Sequence, residues 1–229
     1  MISIKNLTLT YPGSPKILNA LNLSLPLGNI HGIAGLNGSG KTSLLNTLFG
    51  LLKADAGTIN CSDFEINKKN ISYLPTENYF YSNISAREYL GLFRNENFEL
   101  DNWNKLFLLP LDQVIDDYSS GMKKKLALLG VIKQDKQLMI LDEPFNNLDI
   151  ETSRSLRSLL LKMSAKGKTI IITSHIIETL TNLCDYIHYL DEGKIKFSRQ
   201  KEEFVAFEEG LLKSIESKTG GIIAELLGN

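Results

Sequence analysis

The sequence predicts an α/β fold that has a mainly parallel sheet, an antiparallel β subdomain at the N-terminus and an inserted helical subdomain. Three observations support this prediction. Two continuous apolar segments, at 137–141 and 169–173, have the composition of strands buried inside a parallel sheet. A glycine-rich loop at 35–42 lies between an apolar segment and an amphipathic one. Residues 78–117 contain little strand pattern, which favours a helical insertion.

The composition limits the classes of function that the chain can have. Its 229 residues suit one large domain or one domain with an inserted subdomain. The net charge of −1 gives no bulk attraction to nucleic acid or to acidic lipid. Two unclustered cysteines, Cys61 and Cys184, are expected to be reduced thiols in a cytoplasmic protein. No signal peptide and no apolar run of membrane-spanning length is recognised, so we expect no direct membrane span.

The N-terminal part of the chain is expected to form short strands. Apolar and polar residues alternate over 2–11, with a change of phase at Lys5–Asn6 that is typical of a bulged strand. Further strands are expected at 29–34, 57–60 and 71–74, with turns at 11–15 and 26–28.

The segment Gly35–Thr42 fits the P-loop pattern, in which a glycine-rich turn leads from a strand into a helix, here expected over 41–52. Its backbone N–H groups can surround a phosphate at the positive end of that helix. Lys41 can reach the β- and γ-phosphates, and the Thr42 hydroxyl can ligate Mg²⁺. The segment therefore predicts a nucleoside triphosphate site. The residues expected to hold the nucleotide here are Gly35, Leu36, Asn37, Gly38, Ser39, Gly40, Lys41, Thr42 and Ser43.

The inserted region contains two helix starts. Ser85–Glu88 has the sequence of a capping box, and the apolar residues that follow share one helix face. A longer helix is expected over 120–132, capped by Ser119 or Ser120, and its first N–H groups offer an anion site. The alternative is an ordinary helix cap followed by solvated lysines at 123–125.

Two carboxylates directly follow the apolar segment 137–141, which is expected to be a buried strand. Asp142 would hold the Mg²⁺ shell beside Thr42, and Glu143 would orient or deprotonate the attacking water. A solvated Asp–Glu pair before Pro144 is the alternative. His175 follows the second buried strand, from where it can reach the γ-phosphate.

The remaining segments and histidines are expected to support the fold and to take no part in the chemistry. His31 and His188 lie within strand patterns and are expected to be structural histidines. Apolar residues at helical spacing over 156–163 predict an amphipathic helix, and 186–197 has the pattern of a hairpin. Residues 200–229 are charged with apolar spacing, which predicts a helical end of the chain.

The order of these segments resembles the ATPase subunit of ATP-binding cassette (ABC) transporters over about residues 1–200. The P-loop, Ser-x-Gly, Leu-Asp-Glu-Pro, Asn-Leu-Asp and Ser-His follow one another in the family's order and spacing. The resemblance implies a single nucleotide-binding domain with a P-loop NTPase core. Residues 1–76 and 133–200 would form the core and β subdomain, 77–132 the helical subdomain and 201–229 a C-terminal helical tail.

Within this resemblance, Tyr118–Met122 corresponds to the family's signature motif, usually Leu-Ser-Gly-Gly-Gln. The sequence keeps Ser119 and Gly121, the two positions that face the γ-phosphate bound by a partner subunit. Its Tyr-Ser-x-Gly-Met-Lys variant is similar to that of cassettes serving drug, bacteriocin and related export systems. Asn146–Asp149 resembles the D-loop, which lies across the dimer interface, and His175 resembles the switch histidine.

Two further positions follow from the resemblance. Tyr11 falls where the family places an aromatic residue that stacks on adenine. After the strand at 71–74 the family usually has a glutamine, and this chain instead has Thr76 and Glu77. Thr76 could bind a water on Mg²⁺, or Glu77 could substitute by a one-residue shift, so both remain open as metal contacts.

The resemblance implies an ATPase that uses ATP and Mg²⁺ and drives export through a separate transmembrane permease. It would pair with a second cassette, expected to be an identical one, on the inner face of the cell membrane. The exposed face of the helical insertion, including Phe80 and Tyr81, would dock on the permease. A regulatory cassette with weak hydrolysis and a soluble ABC ATPase outside transport are the alternatives. The cassette does not touch the cargo, so the transported substrate is not identified, and the direction of transport rests on analogy.

Overall fold

The computed structural model describes residues 1–13 and 15–205. The strands in these ranges are β1 (Ile2–Thr10), β2 (Lys16–Leu25), β3 (Ile30–Ala34), β4 (Ala56–Cys61), β5 (Ile71–Leu74), β6 (Leu138–Leu141), β7 (Thr169–Thr173), β8 (Tyr186–Asp191) and β9 (Lys194–Gln200). The α-helices are α1 (Lys41–Phe49), α2 (Ala86–Gly91), α3 (Leu100–Asn104), α4 (Ser120–Lys133), α5 (Ile150–Ala165) and α6 (Ile177–Thr181). None of the described helices is both long and apolar enough to cross a bilayer.

The strands form two sheets. The larger has the order β5-β6-β7-β3-β8-β9 and is parallel except at the β8–β9 hairpin. The smaller is antiparallel, in the order β2-β1-β4. Helices α2 to α4 lie in the predicted insertion between the strands β5 and β6. The structure thus confirms the predicted mainly parallel sheet, the N-terminal antiparallel β subdomain and the helical insertion.

The larger sheet is covered on both faces, which explains why its strands are continuously apolar. Met139, Leu141 and Ile170 pack on one face together with helices α4 and α5. Their neighbours in sequence, including Ile140 and Ile171, pack on the other face with α1 and the antiparallel sheet. Because successive side chains of a strand point to opposite faces, every position of β6 and β7 is buried.

The change of phase predicted in the first strand is a β-bulge. Asn6 has a positive φ of 51°, and the pairing of β1 with β2 shifts register between Ile4 and Leu7. The extra residue restores the alternation, so Ile4, Leu7 and Leu9 all lie in the core.

Some boundaries differ from the predicted ones. Helix α1 stops before the expected end at residue 52, because Gly50 adopts the left-handed conformation (φ 79°) and closes its C-terminus. The capping box at Ser85–Glu88 is formed, but α2 contains only 6 residues, which is less than two helical turns. Beyond a 3₁₀ turn at Lys201–Glu203, the helical prediction for 206–229 lies outside the described residues.

His31 on β3 and His188 on β8 are both buried and belong to one chain of hydrogen bonds within the larger sheet. His31 Nε2 donates to the Pro26 carbonyl (2.8 Å), because a carbonyl oxygen only accepts. His31 Nδ1 therefore accepts from His188 Nε2 (3.2 Å), and His188 Nδ1 accepts from the Ser198 hydroxyl (2.7 Å). Both imidazoles are neutral in this arrangement. Burial lowers the pKa of His31 to about 4 and that of His188 to about 3.

These lowered pKa values predict a loss of stability in mild acid. Unfolded histidines have a pKa near 6.5, so between that pH and about 4 the unfolded chain binds protons that the folded chain does not. The two neutral histidines therefore make their full contribution to the free energy of unfolding above pH ~6.5, and this contribution decreases as the pH is lowered toward about 4. Between pH 7.5 and 5.5 we expect the free energy of unfolding in urea to drop by about 1 kcal/mol per buried histidine. His175→Gln, which leaves both imidazoles in place, should show the same drop, and equal stabilities at the two pH values would contradict the prediction.

Candidate functional site

The candidate site is a cleft at the carboxyl ends of β3, β5 and β6, which is where parallel sheets bind ligands. The loop after β3 supplies one wall, and the residues that follow β5 and β6 supply the opposite one. The residues lining the cleft are Tyr11, Ile17, Asn37, Gly38, Gly40, Lys41, Thr42, Ser43, Thr76, Asp142 and Glu143.

The loop Gly35–Thr42 has the backbone that a phosphate cradle requires. Gly38 and Gly40 have positive φ angles of 80° and 107°, which favour glycine. A Cβ on Gly35 would lie 2.3 Å from the Leu190 carbonyl oxygen, so only glycine fits there. The loop then enters α1, whose first three residues, Lys41–Ser43, line the cleft, and the first N–H groups of a helix have no partner within it.

Lys41 is buried and folds back across this loop. Its Nζ donates to the carbonyl oxygens of Gly35 (2.8 Å) and Leu36 (3.1 Å). Burial lowers the pKa of Lys41, and the carboxylates of Glu143 and Asp142 oppose that shift. A cation is thus held at the floor of the cleft, beside two acidic groups, in a position that suits a polyanionic ligand.

The metal ligands predicted from the sequence lie together. The hydroxyls of Thr42 and Thr76 both donate to Asp142 Oδ2, at 2.8 and 2.7 Å. A hydroxyl that donates to a carboxylate keeps lone pairs for a cation, so the three side chains fit a Mg²⁺ that also binds phosphate oxygens. Over 1–13 and 15–205, no cluster of three or more His, Cys, Asp or Glu side chains could hold a metal ion.

Thr76 and Glu77, the two candidate metal contacts after β5, differ in whether they line the cleft. Glu77 is exposed and does not line the cleft; its carboxylate accepts a hydrogen bond from the Tyr79 hydroxyl (3.1 Å). Thr76, by contrast, reaches Asp142. Thr76 is therefore the residue of this segment that lies in the cleft, beside Thr42 and Asp142.

Glu143 and His175 are in contact. His175 Nδ1 lies 3.1 Å from Glu143 Oε2. Glu143 itself has a left-handed backbone (φ 48°), which is uncommon for a residue with a side chain and clusters at functional sites. This conformation presents its carboxylate to the cleft, where it can orient a water against a bound phosphate.

Tyr11 stands at the outer edge of the cleft. It is partly exposed, and its hydroxyl lies 3.2 Å from Ser43 Oγ. A ring at this place, in the same cleft as Lys41, can cover the base of a nucleotide whose phosphates bind the loop.

Ser119 and Gly121 are not part of this cleft. Ser119 caps α4, accepting the Met122 N–H at 3.2 Å, so it is the cap rather than Ser120. Gly121 packs on the D-loop segment, where an added Cβ would lie 3.1 Å from the Asn147 carbonyl oxygen. Within one chain, these two residues therefore form a separate surface from the phosphate-binding loop.

The expectation that residues 123–125 are solvated lysines is wrong for two of them. Lys124 is buried, and its Nζ donates to the Asp142 carbonyl (3.5 Å); burial lowers its pKa to about 8. Lys125 pairs with Asp149 at 2.7 Å. Helical spacing could have indicated this, since Lys124 shares a face with the buried Leu128.

The sequence of this chain is similar to those of known ATP-binding proteins of transporters. A model of the family described as ABC transporter matches residues 18–146. The chain is 30% identical over 218 residues to the lantibiotic transport ATP-binding protein SrtF of Streptococcus pyogenes, covering 91% of this chain and 95% of that protein. It is 34% identical over 212 residues to the bacitracin transport ATP-binding protein BcrA of Enterococcus faecalis, covering 85% and 68%.

Solved structures share the fold. One described as the ATP binding subunit of an ABC transporter superimposes with a TM-score of 0.81 at 23% identity, covering 96% of this chain and 93% of that one. The ATP-binding cassette MJ0796, described as a dimer in a post-hydrolysis state with ADP and Pi, superimposes with a TM-score of 0.78 at 22% identity, covering 88% and 99%.

Proposed function

Because the chain belongs to the ABC transporter family, we propose that it is an ATP-hydrolysing cassette that works as a head-to-tail pair around two ATP molecules. The observation that carries this proposal is the separation of the site into two surfaces. The P-loop cleft holds Lys41, Thr42 and Glu143, whereas Ser119 and Gly121 lie elsewhere on the chain. A two-fold pair places the second surface of each copy over the cleft of the other.

The residues of the cleft have distinct roles in this proposal. Lys41 exchanges its carbonyl partners for phosphate oxygens, and Tyr11 covers the adenine. Thr42, Thr76 and Asp142 would hold Mg²⁺, which neutralises charge on the phosphates when bound. Lys41 and Thr42 lie in the first turn of α1, Thr76 and Asp142 follow strands of the larger sheet, and Tyr11 follows β1 of the smaller sheet.

Hydrolysis depends on Glu143 in this account. Its carboxylate accepts a proton from, or orients, the water that attacks the γ-phosphate, while the contact with His175 Nδ1 holds the carboxylate in place. Loss of the γ-phosphate removes the hydrogen bonds that the partner's signature surface makes, so the pair opens. The contact between Glu143 and His175 supports an active ATPase over the regulatory alternative.

The helical subdomain, proposed to span 77–132, would transmit this opening to a permease. Tyr79 and Tyr81 are 85% and 69% exposed, and they are the proposed contacts. Phe80, which the sequence indicated as a contact together with Tyr81, instead packs on Tyr89 with ring centroids 4.9 Å apart. The relatives named for lantibiotic and bacitracin transport support an export-type permease. The cassette would then lie in the cytoplasm, on the inner face of the membrane.

The experiment that tests the proposed function combines hydrolysis with partner capture. The purified chain should hydrolyse Mg·ATP, and an affinity-tagged chain expressed in its native cell should retain a multi-span membrane protein after detergent extraction. Failure to hydrolyse ATP at any chain concentration would favour the regulatory alternative. Hydrolysis without a membrane partner would favour a soluble ABC ATPase.

A further inference from the structure

Thr173, the last residue of β7, is fully buried against the two acidic residues of the cleft. Its hydroxyl donates to Asp142 Oδ1 and accepts the Glu143 backbone N–H at 2.9 Å. One hydroxyl thus contacts two neighbouring residues that have different roles. The contact arises from register: β6 and β7 are parallel with Leu141 opposite Ile172, so the next residues of both strands meet.

We propose that Thr173 is a positioning residue for ATP hydrolysis, which fixes the Asp142 carboxylate and the Glu143 backbone at the same time. This inference rests on the proposed function, since it assumes that Asp142 and Glu143 act on Mg·ATP. It assigns to β7 a role beyond carrying His175.

Thr173 restricts the orientation of the Asp142 carboxylate. Its Oδ1 is occupied by Thr173, while its Oδ2 accepts from Thr42 and Thr76 at the cleft. A carboxylate bonded on both oxygens cannot rotate without breaking one set of bonds. Thr173 therefore keeps Oδ2 directed toward the metal-binding side. Removing a group that orients a metal ligand in this way commonly lowers metal affinity or activity by about tenfold or more.

Thr173 also restrains the backbone of Glu143. This backbone is left-handed (φ 48°), a conformation that surrounding contacts must maintain. Thr173 bonds the Glu143 N–H, and His175 bonds the Glu143 carboxylate. The end of β7 thus holds both the backbone and the side chain of this residue. Removing the Thr173 hydroxyl would leave a buried N–H without its partner and release the backbone that directs the carboxylate.

The test compares three variants of the full chain. Thr173→Val removes the hydroxyl at nearly constant shape, and Thr173→Ser keeps the hydroxyl but removes the methyl group. Ser72→Ala is the matched control, because Ser72 Oγ in β5 is equally buried and has no hydrogen-bond partner among the described residues. Two quantities are measured: steady-state turnover of Mg·ATP, and Mn²⁺ affinity by electron paramagnetic resonance with a non-hydrolysable ATP analogue.

We expect Thr173→Val to lower kcat about tenfold or more, to change KM for Mg·ATP less than about threefold, and to weaken Mn²⁺ binding by about three- to tenfold. Thr173→Ser and Ser72→Ala should stay within about twofold of the wild type in both assays. If the valine variant does not fold, Thr173→Ala is measured instead, with the same expectation.

The inference is overturned if the hydroxyl-free variant keeps both turnover and Mn²⁺ affinity, or if serine is as impaired as valine, since packing would then explain the loss. Glu143→Gln is assayed in parallel. If the wild-type chain does not hydrolyse Mg·ATP, the proposed function has failed; if Glu143→Gln hydrolyses ATP normally, the role of Glu143 on which this inference rests has failed. If Glu143→Gln is inactive while Thr173→Val is normal, only the role of Thr173 has failed.

Discussion

Replacing Glu143 by glutamine is expected to lower the turnover of ATP by about 10²–10⁴-fold while leaving ATP binding within about threefold. Glutamine has nearly the same shape and can still accept from His175, but it cannot take a proton from water. The P-loop, Thr42 and Asp142 are untouched by the change. The measurement is phosphate release at saturating Mg·ATP, together with the equilibrium affinity for a fluorescent ATP analogue.

The matched control is Glu77→Gln. Glu77 is the neighbour of Thr76 in sequence, but its carboxylate accepts a hydrogen bond from the Tyr79 hydroxyl at the surface, so turnover should change less than about twofold. A Glu143→Gln variant that hydrolyses ATP at near-normal rate would show that another group activates the water. A large effect from Glu77→Gln would instead place that residue in the site.

Replacing Gly121 by aspartate is expected to lower hydrolysis by about a hundredfold or more while leaving binding of ATP to the isolated chain unchanged. In the proposed pair, residue 121 faces the γ-phosphate held by the other copy. A carboxylate there would oppose like charge in a site closed to water; at 4 Å and an effective dielectric constant of about 20, two unit charges repel by about 4 kcal/mol. Hydrolysis and ATP affinity are measured separately, because only hydrolysis requires the pair.

Two controls separate charge from crowding. Gly121→Ala adds the same Cβ near the Asn147 carbonyl oxygen without a charge, and it should keep most of the activity. Gly91→Asp places the new carboxylate on α2, where an added Cβ meets nothing within 4 Å, and it should behave as the wild type. Equal losses in Gly121→Ala and Gly121→Asp would mean that the D-loop contact, and not the partner's phosphate, explains the effect.

Local features of the fold could be predicted from the sequence because their causes are local. Alternation, continuous apolar runs and the bulge at Asn6 follow from which faces of each strand are buried. The phosphate loop could be located because glycine spacing and Lys41 encode it within eight positions. The end of α1 was missed because Gly50, a common helix terminator, stands inside an otherwise helical pattern.

Contacts between strands could not be predicted in the same way. That Thr173 meets both Asp142 and Glu143 depends on β6 and β7 being adjacent and in one register. Lys124 belongs to a basic run that suggests solvent exposure, and only the packing of α4 against the sheet buries it. The separation of Ser119 from the P-loop is likewise a property of the whole fold.

Sedimentation equilibrium of the Glu143→Gln variant tests whether one chain supplies half of each ATP site. With Mg·ATP the variant should sediment at twice the 25.6 kDa of the chain, because ATP is bound but not consumed. With Mg·ADP it should sediment as a single chain, and adding Gly121→Asp should prevent pairing in ATP. A Glu143→Gln variant that binds ATP yet stays at 25.6 kDa at every concentration would contradict the shared site.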